Sequence, residues 1–301
     1  LNIQNMSSQS KNSKLVPKTI IAGLFFNFGF VTWINGALIP FMKTINELTD
    51  AQSYLVASAS YISFVFMALP ASSIINKIGY RKGMSLGLII MAIGALVFIP
   101  AAEARTYWMF LAAIFIQGAG MTLLQTASNP YITIVGPIES AAKRIAIMGI
   151  ANKVAGALGS VIFGAILLSG IDGIKKKLNL VDDSEKAELL NTMADSVVTP
   201  YIVMAVVLFL LGILIRKAPL PDVEAQPIEE SETDGKPKSN IFQFPHLWLG
   251  VLALFVYVGV EVIAGDTIIA YGISLDIPAE QAKFFTLFTL MGMVFSYALG
   301  V

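Results

Sequence analysis

Long apolar runs alternate with shorter polar connections along most of the chain. Each run approaches or exceeds the roughly 20 mostly apolar residues that an α-helix needs to cross the hydrocarbon core of a bilayer. Each run therefore predicts a membrane-spanning helix, and there are eight: Thr19–Met42, Ser53–Asn76, Met84–Ala102, Tyr107–Val135, Ile145–Gly170, Tyr201–Ile215, Leu247–Tyr271 and Lys283–Val301. The pattern predicts an all-α membrane protein.

Two longer polar segments interrupt this series. Residues 218–243 are rich in Pro, Glu and Lys, which is typical of a linker. Residues 172–198 include the sequence from Ser184 to Leu190, which predicts a short amphipathic helix at the membrane surface. We therefore expect a six-helix bundle with a polar amino-terminal tail over 1–217, a linker over 218–243, and two helices of an incomplete second bundle over 244–301.

Basic residues in the connections indicate how the spans are oriented. Twelve Lys and Arg residues precede the first span or follow the second, fourth and sixth, whereas the opposite short connections carry three, which are Lys43, Arg105 and Lys283. Cytoplasmic connections carry the excess of Lys and Arg. The sequence thus predicts a multi-pass protein of the cytoplasmic membrane with its amino terminus inside.

Composition narrows the function classes. Hydrophobic residues make up 56% of the chain and charged residues 13%, against about 25% in soluble domains. The formal net charge is zero, which disfavours a basic nucleic-acid-binding surface. With one His and no Cys, the sequence predicts no histidine or cysteine metal site, no thiol nucleophile and no cofactor, and it disfavours a membrane enzyme.

Three charged residues lie well inside the predicted spans: Lys153, Glu261 and Asp266. Charges at membrane depth are costly and commonly line the paths of substrates or ions. Glu261 lies near the middle of its span, which makes it the first candidate for taking up an ion, with Asp266 second and Lys153 as their charge partner. The alternative is a structural ion pair between Lys153 and one carboxylate.

A polar stripe on the fourth span suggests the ligand. Gly118, Thr122, Gln125 and Asn129 are spaced by four, three and four residues and so share one helix face. Amide groups both donate and accept hydrogen bonds, which suits a hydroxyl-rich ligand, although hydrogen bonds between helices would explain single residues equally well.

Other spans carry similar groups and a faint repeat. Asn35 and Asn152 add amides, and Trp33 adds a ring that could stack on a sugar. The segment from Trp33 to Ile39 resembles that from Val262 to Ile268 at an offset of 229. Transporters are often built from such repeats.

Sequence motifs connect these residues to a known family. The segment from Leu124 to Pro137 resembles the helix-4 signature of the fucose–proton symporter family of the major facilitator superfamily, which includes glucose/galactose and N-acetylglucosamine transporters. Supporting matches are Asn35–Pro40, Pro100–Glu103, Thr199–Tyr201 and Tyr257–Glu261. The resemblance implies twelve helices in two bundles, alternating access and proton-coupled sugar uptake.

This chain departs from the family at two acidic positions. At the position after the helix-1 Asn, where the family carries a carboxylate, this chain has Gly36. At the position of the family's helix-4 acid, it has Gln125. Neither residue can carry a proton, so the sequence supports sugar binding more directly than it supports the family's coupling groups.

Our hypothesis is therefore a monomeric carrier that imports a hexose or N-acetylhexosamine by symport with a proton. Asn35, Gln125, Asn129 and Asn152 would bind the sugar, with Trp33 stacking on it. Glu261, Asp266 and Lys153 would couple the ion. Sodium coupling, a drug or cation exporter and a transporter-like sugar sensor remain alternatives.

Overall fold

The computed structural model describes residues 19–134, 137–178, 180–218, 220 and 244–299. Within these ranges it has eight helical stretches that are long and apolar enough to cross a membrane, one for each predicted span. The predicted amino-terminal tail and nearly all of the predicted linker lie outside the described residues.

The helices follow the predicted spans closely. The first span consists of α1 (19–32) and α2, the seventh of α10 and α11, and the eighth of α12 and α13. The bounds are α2 Asn35–Ile45, α3 Asp50–Ile78, α4 Tyr80–Glu103, α5 Tyr107–Ile134, α6 Ala141–Leu167, α7 Ile171–Leu178, α8 Asp183–Asp195, α9 Val198–Lys217, α10 Pro245–Asp266, α11 Ile268–Ser274, α12 Ala279–Ala282 and α13 Phe285–Leu299. The predicted surface helix is α8.

The first six spans pack through small residues. A Cβ atom on Gly87 of α4 would lie 2.7 Å from the carbonyl oxygen of Gly120 on α5, so the two backbones touch. The Ser85 hydroxyl donates a hydrogen bond of 2.7 Å to the Gly212 carbonyl, which ties α4 to α9. Small residues allow this approach, which gives membrane helices close van der Waals contact.

The end of α5 is fixed by a buried arginine. The Arg144 guanidinium donates to the carbonyl oxygens of Ile132, Thr133 and Pro137, each at 2.9 Å, and to the Ser140 hydroxyl at 2.6 Å. The last carbonyl groups of a helix have no partner within it. Arg144 therefore holds the turn between the fourth and fifth spans.

Breaks in the first and seventh spans lie where these two spans meet. The first is interrupted at Trp33 and Ile34, and the seventh at Thr267. The breaks lie in the two segments of the predicted repeat, and these segments meet. A Cβ on Gly36 would lie 3.4 Å from the Gly265 carbonyl oxygen and 2.9 Å from the Thr286 hydroxyl oxygen. The first span thus crosses the seventh where neither has room for a side chain.

We call the side of the bundle at Thr19 proximal and the opposite side distal. The distal side holds the connections from α2 to α3, from α4 to α5, from α6 to α9 and from α11 to α12. The two spans after the linker contact the first six mainly through α11 on α2 and α13 on α6. In contrast, α10 is exposed along most of its length until Gly265 and Asp266.

Candidate substrate and ion site

The Trp33 indole lies at the meeting point of three spans. Its Nε1 donates to Asn152 Oδ1 at 3.4 Å, and Lys153 Nζ lies 4.4 Å from the ring centroid in a cation–π contact. Gly156 and Gly265 lie against the ring so closely that a Cβ on either would overlap it. Trp33 is 2% exposed, so its ring is closed to a ligand in this conformation.

Lys153 forms an ion pair with Glu261. The ammonium and the carboxylate are in direct contact, and their side chains are 7% and 15% exposed. The pair joins α6 to α10 inside the bundle. The Tyr257 hydroxyl, one turn before Glu261, lies near the Glu261 carboxylate and 3.4 Å from the Tyr297 hydroxyl. Polar groups thus follow one another from Lys153 to Tyr297.

Asp266 is fully buried at the end of α10. Its Oδ2 accepts a hydrogen bond of 2.8 Å from the Tyr61 hydroxyl on α3, and the Asn35 side chain lies beside the same carboxylate. Its Oδ1 has no hydrogen-bond partner among the described residues. A buried carboxylate oxygen without a partner is costly unless it holds a proton or a cation.

The three charges therefore form one cluster. Glu261 and Asp266 need not share a helix face, since they are five residues apart on α10. Lys153 nevertheless lies close enough to interact electrostatically with both carboxylates. The structure brings together the ion-coupling residues that the sequence predicts, and it adds Tyr61 and Tyr257. In the sequence, Tyr257 is marked by the family-like segment Tyr257–Glu261, whereas only its hydroxyl group marks Tyr61.

The predicted sugar-contact residues are divided between two places. Asn35, Asn152 and Trp33 belong to the cluster. Gln125 is partly buried on α5 and Asn129 is exposed on the same helix. Within the described part of the chain, no hydrogen bond joins these two to the cluster, and the Thr122 hydroxyl of the same stripe bonds the Gly118 carbonyl of its own helix at 2.8 Å.

Two cavities reach the polar groups. One of about 530 Å³ lies between α6, α10 and α13 on the proximal half, lined in part by Tyr257, Thr289, Ser296 and Tyr297. The other, of about 460 Å³, lies between α3 and α10 and is bordered by Tyr61 and Asp266. Hydroxyl groups beside aromatic rings suit a polar ligand that also has apolar faces.

Comparison with known proteins identifies the family. The model of the Major Facilitator Superfamily matches residues 20–301. The chain belongs to the Major Facilitator Superfamily. The predicted family and the all-α, multi-pass membrane fold are thereby confirmed.

Relatives within the superfamily are named as sugar transporters rather than enzymes. The chain is 35% identical to a glucose/galactose transporter of Brucella abortus over 84% of its own length and 57% of that protein. It is 29% identical to the L-fucose-proton symporter of Escherichia coli over 90% of this chain and 63% of the relative. The chain thus spans less than two thirds of either relative.

A solved superfamily structure has the same fold. The crystal structure of the transporter FucP in the outward conformation matches with a TM-score of 0.75 and 26% sequence identity. The match covers 96% of this chain and 71% of FucP.

Proposed function

We propose that this superfamily member imports a monosaccharide, either a hexose or an N-acetylhexosamine, across the cytoplasmic membrane in symport with one cation. The observation that carries the coupling is the buried cluster of one lysine and two carboxylates. With both carboxylates ionised, the cluster has a net charge of −1, which is costly inside a membrane protein. One bound cation makes it neutral.

Glu261 is the first candidate for receiving a proton. Protonation of Glu261 would remove its charge and leave Lys153 to pair electrostatically with Asp266, so no charge in the cluster would stay unbalanced. Asp266 is the second candidate because its Oδ1 has no partner among the described residues. A bound sodium ion would neutralise the cluster in the same way, because carboxylate oxygens also bind metal cations.

Amides of the first, fourth and fifth spans would bind the sugar, together with aromatic rings near the cluster. Asn35, Gln125, Asn129 and Asn152 would exchange hydrogen bonds with sugar hydroxyl groups, and Tyr257 and Tyr297 line a cavity next to Glu261. Since the Trp33 ring is closed on all sides here, it would contact the sugar only after the first, fifth and seventh spans move apart. Binding and conformational change would then be coupled through Trp33.

The coupling is tested by measuring sugar uptake into liposomes that contain the protein, expressed from its complete reading frame. Glu261→Gln should abolish accumulation of labelled sugar against a gradient and retain exchange of internal for external sugar, since exchange needs no ion release. Asp276→Asn, an exposed acid whose positive φ of 61° suits Asn, is the matched control. If Glu261→Gln accumulated sugar as well as this control, Glu261 would have no coupling role, and Asp266→Asn would be the next variant to test.

The ion and the substrate need separate measurements. Removal of Na⁺ at fixed pH should leave accumulation unchanged if the ion is a proton and abolish it if the ion is sodium. A thermal-shift screen of fucose, glucose, galactose, mannose and N-acetylglucosamine identifies the sugar. No stabilisation by any of them would contradict a monosaccharide substrate.

We also propose that the amino terminus is cytoplasmic, supported by the excess of Lys and Arg on the proximal side. A reporter protein that is active only in the cytoplasm, fused before Thr19, should be active. A fusion that is intact but inactive would show that the amino terminus lies on the other side of the membrane.

A further inference from the structure

Two connections on the distal side exchange hydrogen bonds across the two parts of the chain. Asp172 at the start of α7 accepts a hydrogen bond of 2.8 Å from the backbone N–H of Ala279 at the start of α12. In return, Glu280 of α12 accepts one of 3.1 Å from the backbone N–H of Gly170, next to α7. Each acid lies one residue after the first residue of its own helix.

This exchange is reciprocal. The first backbone N–H groups of a helix have no partner within that helix and are commonly satisfied by a nearby side chain. Here Glu280 of the eighth span accepts from the connection that follows the fifth span. In turn, Asp172 of that connection accepts from the eighth span. Separation of the two parts would therefore leave two N–H donors and two carboxylates without these partners at once.

Two further features hold the Glu280–Gly170 contact in position. Lys283, one turn along the eighth span, forms an ion pair with Glu280. Gly170 has a φ of +73°, a conformation that residues with a side chain rarely adopt, and this conformation sets the direction of its N–H group. Carboxylates that accept from backbone N–H groups form stronger hydrogen bonds than neutral acceptors do.

The contacts between the two parts are arranged unequally across the bundle. On the distal side α11 packs against α2, and the Asp172–Ala279 and Glu280–Gly170 bonds lie beyond them. On the proximal half α6 and α13 touch at Gly149 and Tyr297, beside a cavity of about 530 Å³ whose border includes Tyr257 and Tyr297. Among the described residues, the hydrogen bonds that join connections of the two parts are on the distal side, where a smaller cavity of about 260 Å³ also lies between α2 and α11.

We propose that Asp172 and Glu280 form a reciprocal latch that keeps the distal side closed and opens when the central cluster becomes accessible from that side. The latch depends on the superfamily fold and the position of these two acids. It does not depend on which substrate or ion the protein carries.

Distances between spin labels across the distal side test the latch. The 301-residue sequence contains no Cys, so labels on Lys176→Cys of α7 and Leu275→Cys after α11 would report from those two exposed sites. Adding Asp172→Ala and Glu280→Ala should raise the ratio of long to short distances at least about tenfold, because two charge-assisted hydrogen bonds are lost and water replaces only part of them. The measurement needs no sugar, so it stands even if the proposed function fails.

Two further variants complete the experiment. Asp183→Ala removes an exposed acid from the same side, outside the Asp172–Glu280 exchange, and should leave the distances unchanged. Asp172→Asn with Glu280→Gln keeps acceptor oxygens without charge and should give a smaller shift; it replaces the alanine pair if that pair does not fold. The measurement is made on whichever pair of substitutions folds. The proposal would be overturned if that variant gave the same distance distribution as the labelled protein without latch substitutions.

Discussion

At the scale of single residues, the site depends on how the Trp33 ring is held. Its indole donates to Asn152, and its ring lies beneath the Lys153 ammonium. Gly156 and Gly265, from different spans, allow the ring to enter because neither has a Cβ atom. These two glycines therefore set the position of the aromatic side chain at the centre of the site.

Gly265→Ala should displace the Trp33 ring, because the added methyl group would overlap it. Overpacking of this kind costs about 1–3 kcal/mol. We expect a lower melting temperature and weaker sugar binding, measured by thermal unfolding and by ligand titration. Gly259→Ala on the same helix is the control, since a Cβ there meets no atom within 4 Å. Equal melting temperatures for the two variants would show that Trp33 adapts without cost.

At the scale of helices, the apolar runs predicted every span because the bilayer fixes the length that a span requires. The breaks at Trp33–Ile34 and at Thr267 could not be predicted, since neither contains a proline. Conversely, Pro40, Pro70, Pro100 and Pro130 all lie inside helices. Neighbouring helices and side chains can satisfy the backbone groups that a proline frees in a membrane span, so proline is a weak signal here.

The candidate site was predictable to a similar degree. The cost of burying charge singled out Lys153, Glu261 and Asp266 without any structure. Tyr61 and Tyr297 could not be predicted as their neighbours, because a tyrosine in an apolar span is ordinary and only the packing of α3 and α13 brings these hydroxyl groups into place. Helix spacing placed Gln125 and Asn129 on one face but could not show where that face points.

Arg144→Lys should loosen the turn that follows α5. A lysine ammonium has three donors on a single atom and cannot match the fork with which Arg144 reaches four acceptors. An unsatisfied buried carbonyl group costs about 1–3 kcal/mol. We expect a lower melting temperature and faster protease cleavage between residues 134 and 144.

The neighbouring residue provides the control for this prediction. Lys143 is exposed on the same helix turn, so Lys143→Arg should change neither the melting temperature nor the cleavage rate. If Arg144→Lys behaved as Lys143→Arg does, the carbonyl groups at the end of α5 would have found other partners, and Arg144 would not be needed to hold the turn.

At the scale of the whole molecule, the weak sequence repeat marks the place where the two parts meet. Gly36 and Gly265 correspond at the offset of 229, and their backbones approach closely. Asp266 follows Gly265 directly and is buried at this crossing. A side chain at Gly36 would occupy the space through which the first and seventh spans touch, next to the backbone of Asp266.

Gly36→Val should therefore keep the two parts from closing fully. Its side chain would meet the Thr286 hydroxyl and the backbone of Gly265 and Asp266. Labels at Lys176→Cys and Leu275→Cys should then report longer distances even with Asp172 and Glu280 intact. Gly23→Val, on the same span with no atom within 4 Å of its Cβ position, is the control. If both variants gave the same distances, the crossing would tolerate a side chain, and closure would depend on the latch alone.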